Sequence, residues 1–333
     1  MGKLSTDALR DLLRFIRKTP DLIVPPMPGF DAGVHEFGDD MCVVIATDPC
    51  LGVPKEWFGW LLIHYSASDV ALFGAKPRFC TINLLAPLGT SKAVFEKVME
   101  QASGAAEEIG MSIVTGHTGT YEGLSTLVAT CTAYGFVQKD QLITPAGARP
   151  GDYLLCTKPI GLETLVNFVL THKKLARKLF GPARMRQLEG QVKMQTCVED
   201  ALTLARTGGV SAMHDATEGG MIAALNEMAD ASNVGFLIDF TKLPLTLETE
   251  KLAERFGLTW NQKLSMSSTG TLLAAVSPNR KDEIIKTLSG RGFVNIVGLF
   301  SESEERLIKY RGKKLRFPRK ADDPYAKIFA SVS

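Results

Sequence analysis

The stretch ITPAGARPGD at 143–152 interrupts every regular pattern in the chain, being rich in Pro and Gly and without hydrophobic period. Such segments punctuate local structure and separate domains. A chain of 333 residues, at roughly 150 per domain, is expected to form two domains. They are placed at 1–147 and 148–310, with 311–333 as a carboxy-terminal tail. Strand-like and helix-like segments mix in each half without the strict alternation of a doubly wound sheet. The expected fold class is therefore α+β, with sheets covered by helices on one side.

In the amino half, Leu9, Leu12, Leu13 and Ile16 recur at helical spacing and predict a helix over 5–18, capped by Ser5. PPMPG at 25–29 reads as a loop. MCVVIAT at 41–47 predicts a buried strand running into Asp48-Pro49. A helix over 56–73, with Trp57 and Trp60 as packing residues, precedes a strand at 79–87. Phe95, Val98, Ala102, Ala105 and Ile109 define a second helix ended by Gly110. Strands follow at 111–116 and 125–137, giving an expected sheet of four strands or fewer.

In the carboxy half, strands are predicted at 153–157, before Asp215, and at 235–240, 269–276 and 294–300. Helices are predicted near 161–171, 196–207, from 220, and at 246–256. Ser277-Pro278 is read as the N-cap and first residue of the next helix. A hairpin about Gly312 ends the pattern. THKKLARKLFGPARMR at 171–186 predicts a basic helical segment. It reads as a solvated face, with docking of a phosphorylated substrate as the alternative.

Composition excludes several classes. The 38 Lys+Arg and 36 Asp+Glu leave a net charge of +2, no footprint for nucleic acid. The longest uncharged stretch, Gly123–Gln138, is studded with Ser and Thr and reads as a strand, so no membrane partner is expected. MGKLSTDALRDLLRF lacks the apolar core of a signal peptide, so the expected location is the cytoplasm. Cysteines 42, 50, 80, 131, 156 and 197 contain no C-x-x-C and read as buried thiols. The phosphate-binding and dinucleotide glycine motifs, the nucleophile elbow and the H-E-x-x-H zinc motif are all missing.

What remains is a set of polar groups at the ends of apolar segments: Asp31 in GFDAGV, Asp48 in ATDP, Asp69 in SASDVALFGAKP, and the turn in IVTGHTG. Carboxylates projecting from one sheet edge could hold Mg²⁺ and, through it, a triphosphate. Any one Asp alone reads more readily as a helix cap or turn residue, and it is the four segments together that point to a site. MHDATEGGMIAALNEMA at 213–229 runs a strand into His214-Asp215 and opens a helix at Thr217-Glu218-Gly219-Gly220. Its glycines would let backbone approach a ligand, and its helix start favours an anion; the alternative makes Asp215 or Thr217 a simple N-cap. Lys158 and Glu163 flank a strand-to-helix turn, a weaker signal.

These segments, with AGARPGDYLL and STGTLLAAV, resemble in collinear order the aminoimidazole-ribonucleotide (AIR) synthetase superfamily over about residues 20–300. That superfamily includes HypE, selenophosphate synthetase and thiamine-monophosphate kinase; DATEGG followed by LNEMA is most similar to the HypE-like branch. The resemblance implies a homodimer whose amino-terminal sheets form a shared barrel with ATP at its edge. It implies Asp31, Asp48 and Asp69 as Mg²⁺ ligands, Thr118 at the nucleotide, and Asp215, Thr217, Gly219 and Gly220 on the substrate side. His117 stands where many members carry Asp, and is expected as a phosphate donor rather than a metal ligand. HypE itself ends in a cysteine that carries the carbamoyl group, whereas the last cysteine here is Cys197. The expected function is ATP-dependent phosphorylation or dehydration of a small carboxamide or oxygen nucleophile in metalloenzyme maturation, with His117 and Asp215 catalytic and a maturation protein as partner. The alternatives are a thiamine-monophosphate-kinase-like enzyme and a non-catalytic ATP-binding scaffold.

Overall fold

The computed structural model describes residues 4, 6–17 and 19–330. The expected cap Ser5 lies outside the described residues. The chain divides into two compact units, Leu13–Leu142 and the remainder. Helix α1 (Thr6–Leu13) is shorter than predicted, and Leu12 and Ile16 of its apolar stripe stand exposed.

The Leu13–Leu142 unit contains β1 (Leu22–Val24), β2 (Gly33–Phe37), β3 (Met41–Cys50), α2 (Phe58–Leu72), β4 (Lys76–Pro87), α3 (Lys92–Ile109), β5 (Ser112–Tyr121) and β6 (Val128–Gln138). Its sheet has six strands in the order β1-β2-β3-β6-β4-β5. The expected four were too few because β1 and β2 are short and flank a proline-rich loop, where no period is visible. Every pairing is antiparallel except β4 with β5, which α3 joins as a crossover. Period-2 alternation places Ala129, Cys131, Ala133 and Val137 of β6 on one buried face. Helix α2 packs on that face against β3 and β6. It is apolar nearly all round and buried along almost its whole length. A Cβ on Gly59 would lie 2.2 Å from the Val98 carbonyl oxygen, so glycine there is what lets α2 touch α3. Gln101 locks the crossing: its Oε1 accepts from the Gly59 N–H at 2.8 Å, and its Nε2 donates to the Lys55 carbonyl at 3.3 Å.

The second unit contains β7 (Tyr153–Thr157), α4 (Leu162–Thr171), α5 (Lys173–Phe180), α6 (Pro182–Gly190), α7 (Val198–Thr207), β8 (Val210–Asp215), α8 (Gly220–Ser232), β9 (Gly235–Asp239), α9 (Leu247–Arg255), α10 (Trp260–Leu264), β10 (Leu272–Val276), α11 (Lys281–Leu288), β11 (Val294–Ser301), β12 (Arg306–Tyr310), β13 (Lys313–Arg316) and α12 (Tyr325–Ala330). Seven strands pair in the order β13-β12-β9-β11-β7-β10-β8, antiparallel except β12 with β9. β10 is buried on both faces and reads as a continuous apolar run. Helix α11 starts at Lys281, not at Pro278, because Ser277 opens a turn in which its carbonyl accepts from the Arg280 N–H. Residues 311–330 contribute β13 and α12 to this unit, with Phe317 and Ile328 buried in it.

Candidate functional site

Asp48 does not end a strand. β3 continues through Pro49 to Cys50, and Asp48 sits opposite Cys131 of β6 in register. Counting by twos, it points to the same face as Cys42, Val44, Ala46 and Cys50, the face that α2 covers. The Cys131 thiol reports its surroundings: the neighbouring Cys80 thiol, burial and the Asp48 charge all push it up, against the Ser66 hydroxyl on α2. Asp69 follows Ser66 by one helical turn and is buried. Two carboxylates are thus carried into one helix-and-sheet layer, whose other buried polar groups include His64, Ser66 and Ser68 of α2. Asp31 is partly buried in the loop before β2. The oxygens of Asp31, Asp48 and Asp69 do not gather within 4.8 Å of one another, wider than one shared set of direct metal contacts. Hard carboxylate donors nevertheless suit Mg²⁺, which keeps waters and phosphate oxygens in its shell.

His117 and Thr118 do not lie in a turn. β5 runs through both to Tyr121, with a bulge at Val114. His117 pairs with Asn83 and Thr118 with Leu84 of β4. Asn83 is exposed and Leu84 buried, so His117 projects from the sheet face opposite Asp48. A strand cannot present neighbouring residues to one face. The His117 ring bonds the Tyr121 hydroxyl at 2.5 Å and is exposed. Within this unit His117 is therefore not brought to the aspartates.

In the second unit, β8 ends at the buried pair His214-Asp215. His214 Nδ1 contacts the Asp215 carbonyl at 2.9 Å, and its Nε2 lies 3.1 Å from Glu227 on α8. The Cys197 thiol lies 4.0 Å from Asp215 Oδ2. Thr217 is half-buried in the following turn. Gly219 and Gly220 both have positive φ, at 79° and 57°. What approaches them is not open space for a ligand but the chain itself: Cβ atoms there would meet Ala321 at 3.0 Å and the Met266 carbonyl at 2.5 Å. The Gly219 N–H donates to Asp323 Oδ2 at 3.1 Å, which also accepts from Ser267 Oγ at 2.6 Å. The anion at this helix start is thus a carboxylate of the protein's own carboxy-terminal segment.

Around this corner lie Glu163 and Lys158, a weaker signal in the sequence, together with hydroxyl groups that motif reading passed over. Glu163, in the first turn of α4, accepts from Thr269 Oγ1 at 2.6 Å. Burial pushes its carboxyl up to about 7, outweighing the Thr269 bond, with the Asp323 and Glu218 charges adding to the rise. The loop Ser267–Thr271 turns four hydroxyls inward: Ser268 Oγ accepts from the Gly161 N–H at 2.6 Å, and Thr164 and Thr271 donate to neighbouring carbonyls. Burial raises the Tyr325 hydroxyl beyond its usual range, and Glu163 adds to this. Lys158 holds a left-handed φ of 59°, and its Nζ pairs with Asp200 at 2.7 Å while donating to the Thr196 carbonyl at 2.5 Å. The clue in the sequence was the run SSTGT before a strand.

The amino-terminal AIR synthase-related domain model matches residues 29–137, and the carboxy-terminal one residues 149–309. The chain belongs to the AIR synthase-related family. Carbamoyl dehydratase HypE of Cupriavidus necator is 29% identical, over 74% of this chain and 69% of its own length. Selenide, water dikinase of Bdellovibrio bacteriovorus is 30% identical, over 73% and 69%. A solved structure of hydrogenase maturation protein HypE in complex with ATP has a TM-score of 0.72 at 18% identity and covers 97% of each chain; that likeness is one of fold. All six cysteines are buried thiols outside any disulfide, as expected. Among the described residues no helix is long and apolar enough to cross a membrane.

Proposed function

We propose that this family member is an ATP-dependent enzyme of the HypE-like branch, which phosphorylates or dehydrates a small carboxamide or related oxygen nucleophile in metalloenzyme maturation. The observation that supports it is the pair Asp48, half-buried, and Asp69, buried, carried into one helix-and-sheet layer of the amino-terminal unit. Asp48 and Asp69, with Asp31, would hold Mg²⁺ together with ATP, and bound Mg²⁺ supplies charge neutralisation of the triphosphate. Thr118, on the same sheet face as Asp48, would contact the nucleotide. In the second unit, Glu163 is poised near neutrality to accept a proton from the nucleophile, held by Thr269. Asp215 and Thr217 stay on the substrate side of this reading. The exposed edge strand β5 supports a homodimer.

The test is a thermal melt with Mg²⁺ and an ATP analogue. A ligand at about 100 times its Kd stabilises by roughly 2.7 kcal/mol. The wild type should gain a shift of that size and Asp48→Asn much less. An unchanged wild-type melt with no heat of binding removes the ATP reading. Release of ADP only when carboxamide substrates are added separates an enzyme from a nucleotide-binding scaffold.

A further inference from the structure

Helices α5 and α6 concentrate charge that the rest of the molecule does not balance. Residues 171–186 hold Lys173, Lys174, Arg177, Lys178, Arg184 and Arg186 and no acidic residue, in a chain of net charge +2. One of these cations has a structural partner: Arg184 grips Glu248 of α9 through Nε at 2.9 Å and through its terminal nitrogen at 3.1 Å. That fork anchors α6. The buried side chains Ala176, Phe180 and Leu188 anchor both helices to the core beneath.

Four of the other five cations line one surface without compensation. Lys173, Lys174, Arg177 and Arg186 are exposed, and no carboxylate pairs with them among the described residues. Lys173 faces Arg177, and Lys174 faces Lys178, at the i, i+4 spacing where like charges destabilise a helix. Lys173 and Lys174 also occupy the first turn of α5, the wrong end of the dipole for a cation. The start of α6 at Pro182 adds its own partial positive charge beside them.

These four cations line a single groove of about 340 Å³, with Pro182 and Met185 as its remaining lining. Met185 is half-buried against the core. An apolar centre ringed by Lys and Arg has the anatomy of a protein-binding surface. Met adapts to varied partners, and unpaired charge at the rim steers encounter with a partner of opposite sign.

We propose that the α5–α6 groove docks an acidic segment of a partner protein, with carboxylates on Lys173, Lys174, Arg177 and Arg186 and an apolar side chain on Met185. The groove lies within the second unit and does not depend on the reaction proposed above.

A fluorescein-labelled peptide of six glutamates and two leucines, added to the full-length protein, tests this by anisotropy. Binding should weaken about tenfold between about 50 and 300 mM salt. It should weaken at least about as much when the four cations are changed together, as Lys173→Gln, Lys174→Gln, Arg177→Gln and Arg186→Gln. Replacing the peptide's leucines by alanine should weaken it further. The exposed triple change Lys313→Gln, Lys314→Gln and Arg316→Gln on β13 removes comparable charge elsewhere and should leave binding unaltered. Failure of the peptide to bind overturns the proposal. So does an equal loss from the β13 changes, which would mark unspecific attraction. So does inorganic tripolyphosphate binding where the peptide does not, which would mark a small-anion site. If the fourfold variant melts early, the wild-type salt and leucine-to-alanine comparisons still decide the matter.

Discussion

At the scale of single residues, environment more than identity sets the chemistry. Glu163 and Glu248 are both glutamates at the start of helices. Arg184 holds the Glu248 carboxyl below its usual range, whereas burial lifts Glu163 to about 7. The unfolded chain releases the Glu163 proton near 4.5, so between about 4.5 and 7 the folded state binds the extra proton. Its contribution to stability is present below that window and is lost as pH rises through it. Glu163→Gln keeps the Thr269 contact without the charge. It should melt like the wild type near pH 4.5 and above it by about 3 kcal/mol of stability at pH 8; parallel curves at both pH values would contradict the assignment. Neither the elevation of Glu163 nor the tie between Asp323 and Gly219 was legible in sequence, because each depends on residues 100 or more positions apart.

At the scale of elements, close approach is bought by missing side chains. Gly59 and Gly104 both lie inside helices of the amino-terminal unit, yet only Gly59 meets a neighbour, at 2.2 Å, while nothing lies within 4 Å of Gly104. Gly59→Ala must push α2 from α3 and should cost about 2–4 kcal/mol. Gly104→Ala should instead stabilise by roughly 0.4–1 kcal/mol, by restricting the unfolded chain. Urea titrations that moved both midpoints in one direction would refute the reading of the helix crossing. The same unit shows why IVTGHTG reads as a turn in sequence: it resembles a strand ending in Gly and a polar turn, but glycines at 116 and 119 are accommodated inside β5. A Cβ on Gly116 would lie 2.3 Å from the Ile82 carbonyl. Because the ring faces away from Asp48, His117→Ala should leave the Mg²⁺ concentration needed for nucleotide binding unchanged. A shift in that requirement, read by calorimetry, would return the histidine to the metal's surroundings.

At the scale of the whole molecule, the open question is what covers β5. It is an edge strand of ten residues, and none of them is buried. A long uncovered edge invites pairing with another chain, and closed two-fold pairing is the commonest solution. Light scattering at micromolar concentration should therefore return twice the 36.2 kDa chain mass, and Val114→Lys with Thr118→Lys should shift it toward one copy. A wild-type monomer would remove the dimer. The extents of α2, β7 and α4, the end of α3 at Gly110, and the six buried thiols were determined by the sequence itself, because hydrophobic period and capping glycines act within a few residues. The family, too, was legible in DATEGG and its companion segments. Only the tertiary structure decided which carboxylates share a layer, which face His117 takes, and that Asp323 occupies the α8 start. Those are set by strand register and by contacts distant in sequence, and a one-residue change of face leaves no trace in local pattern.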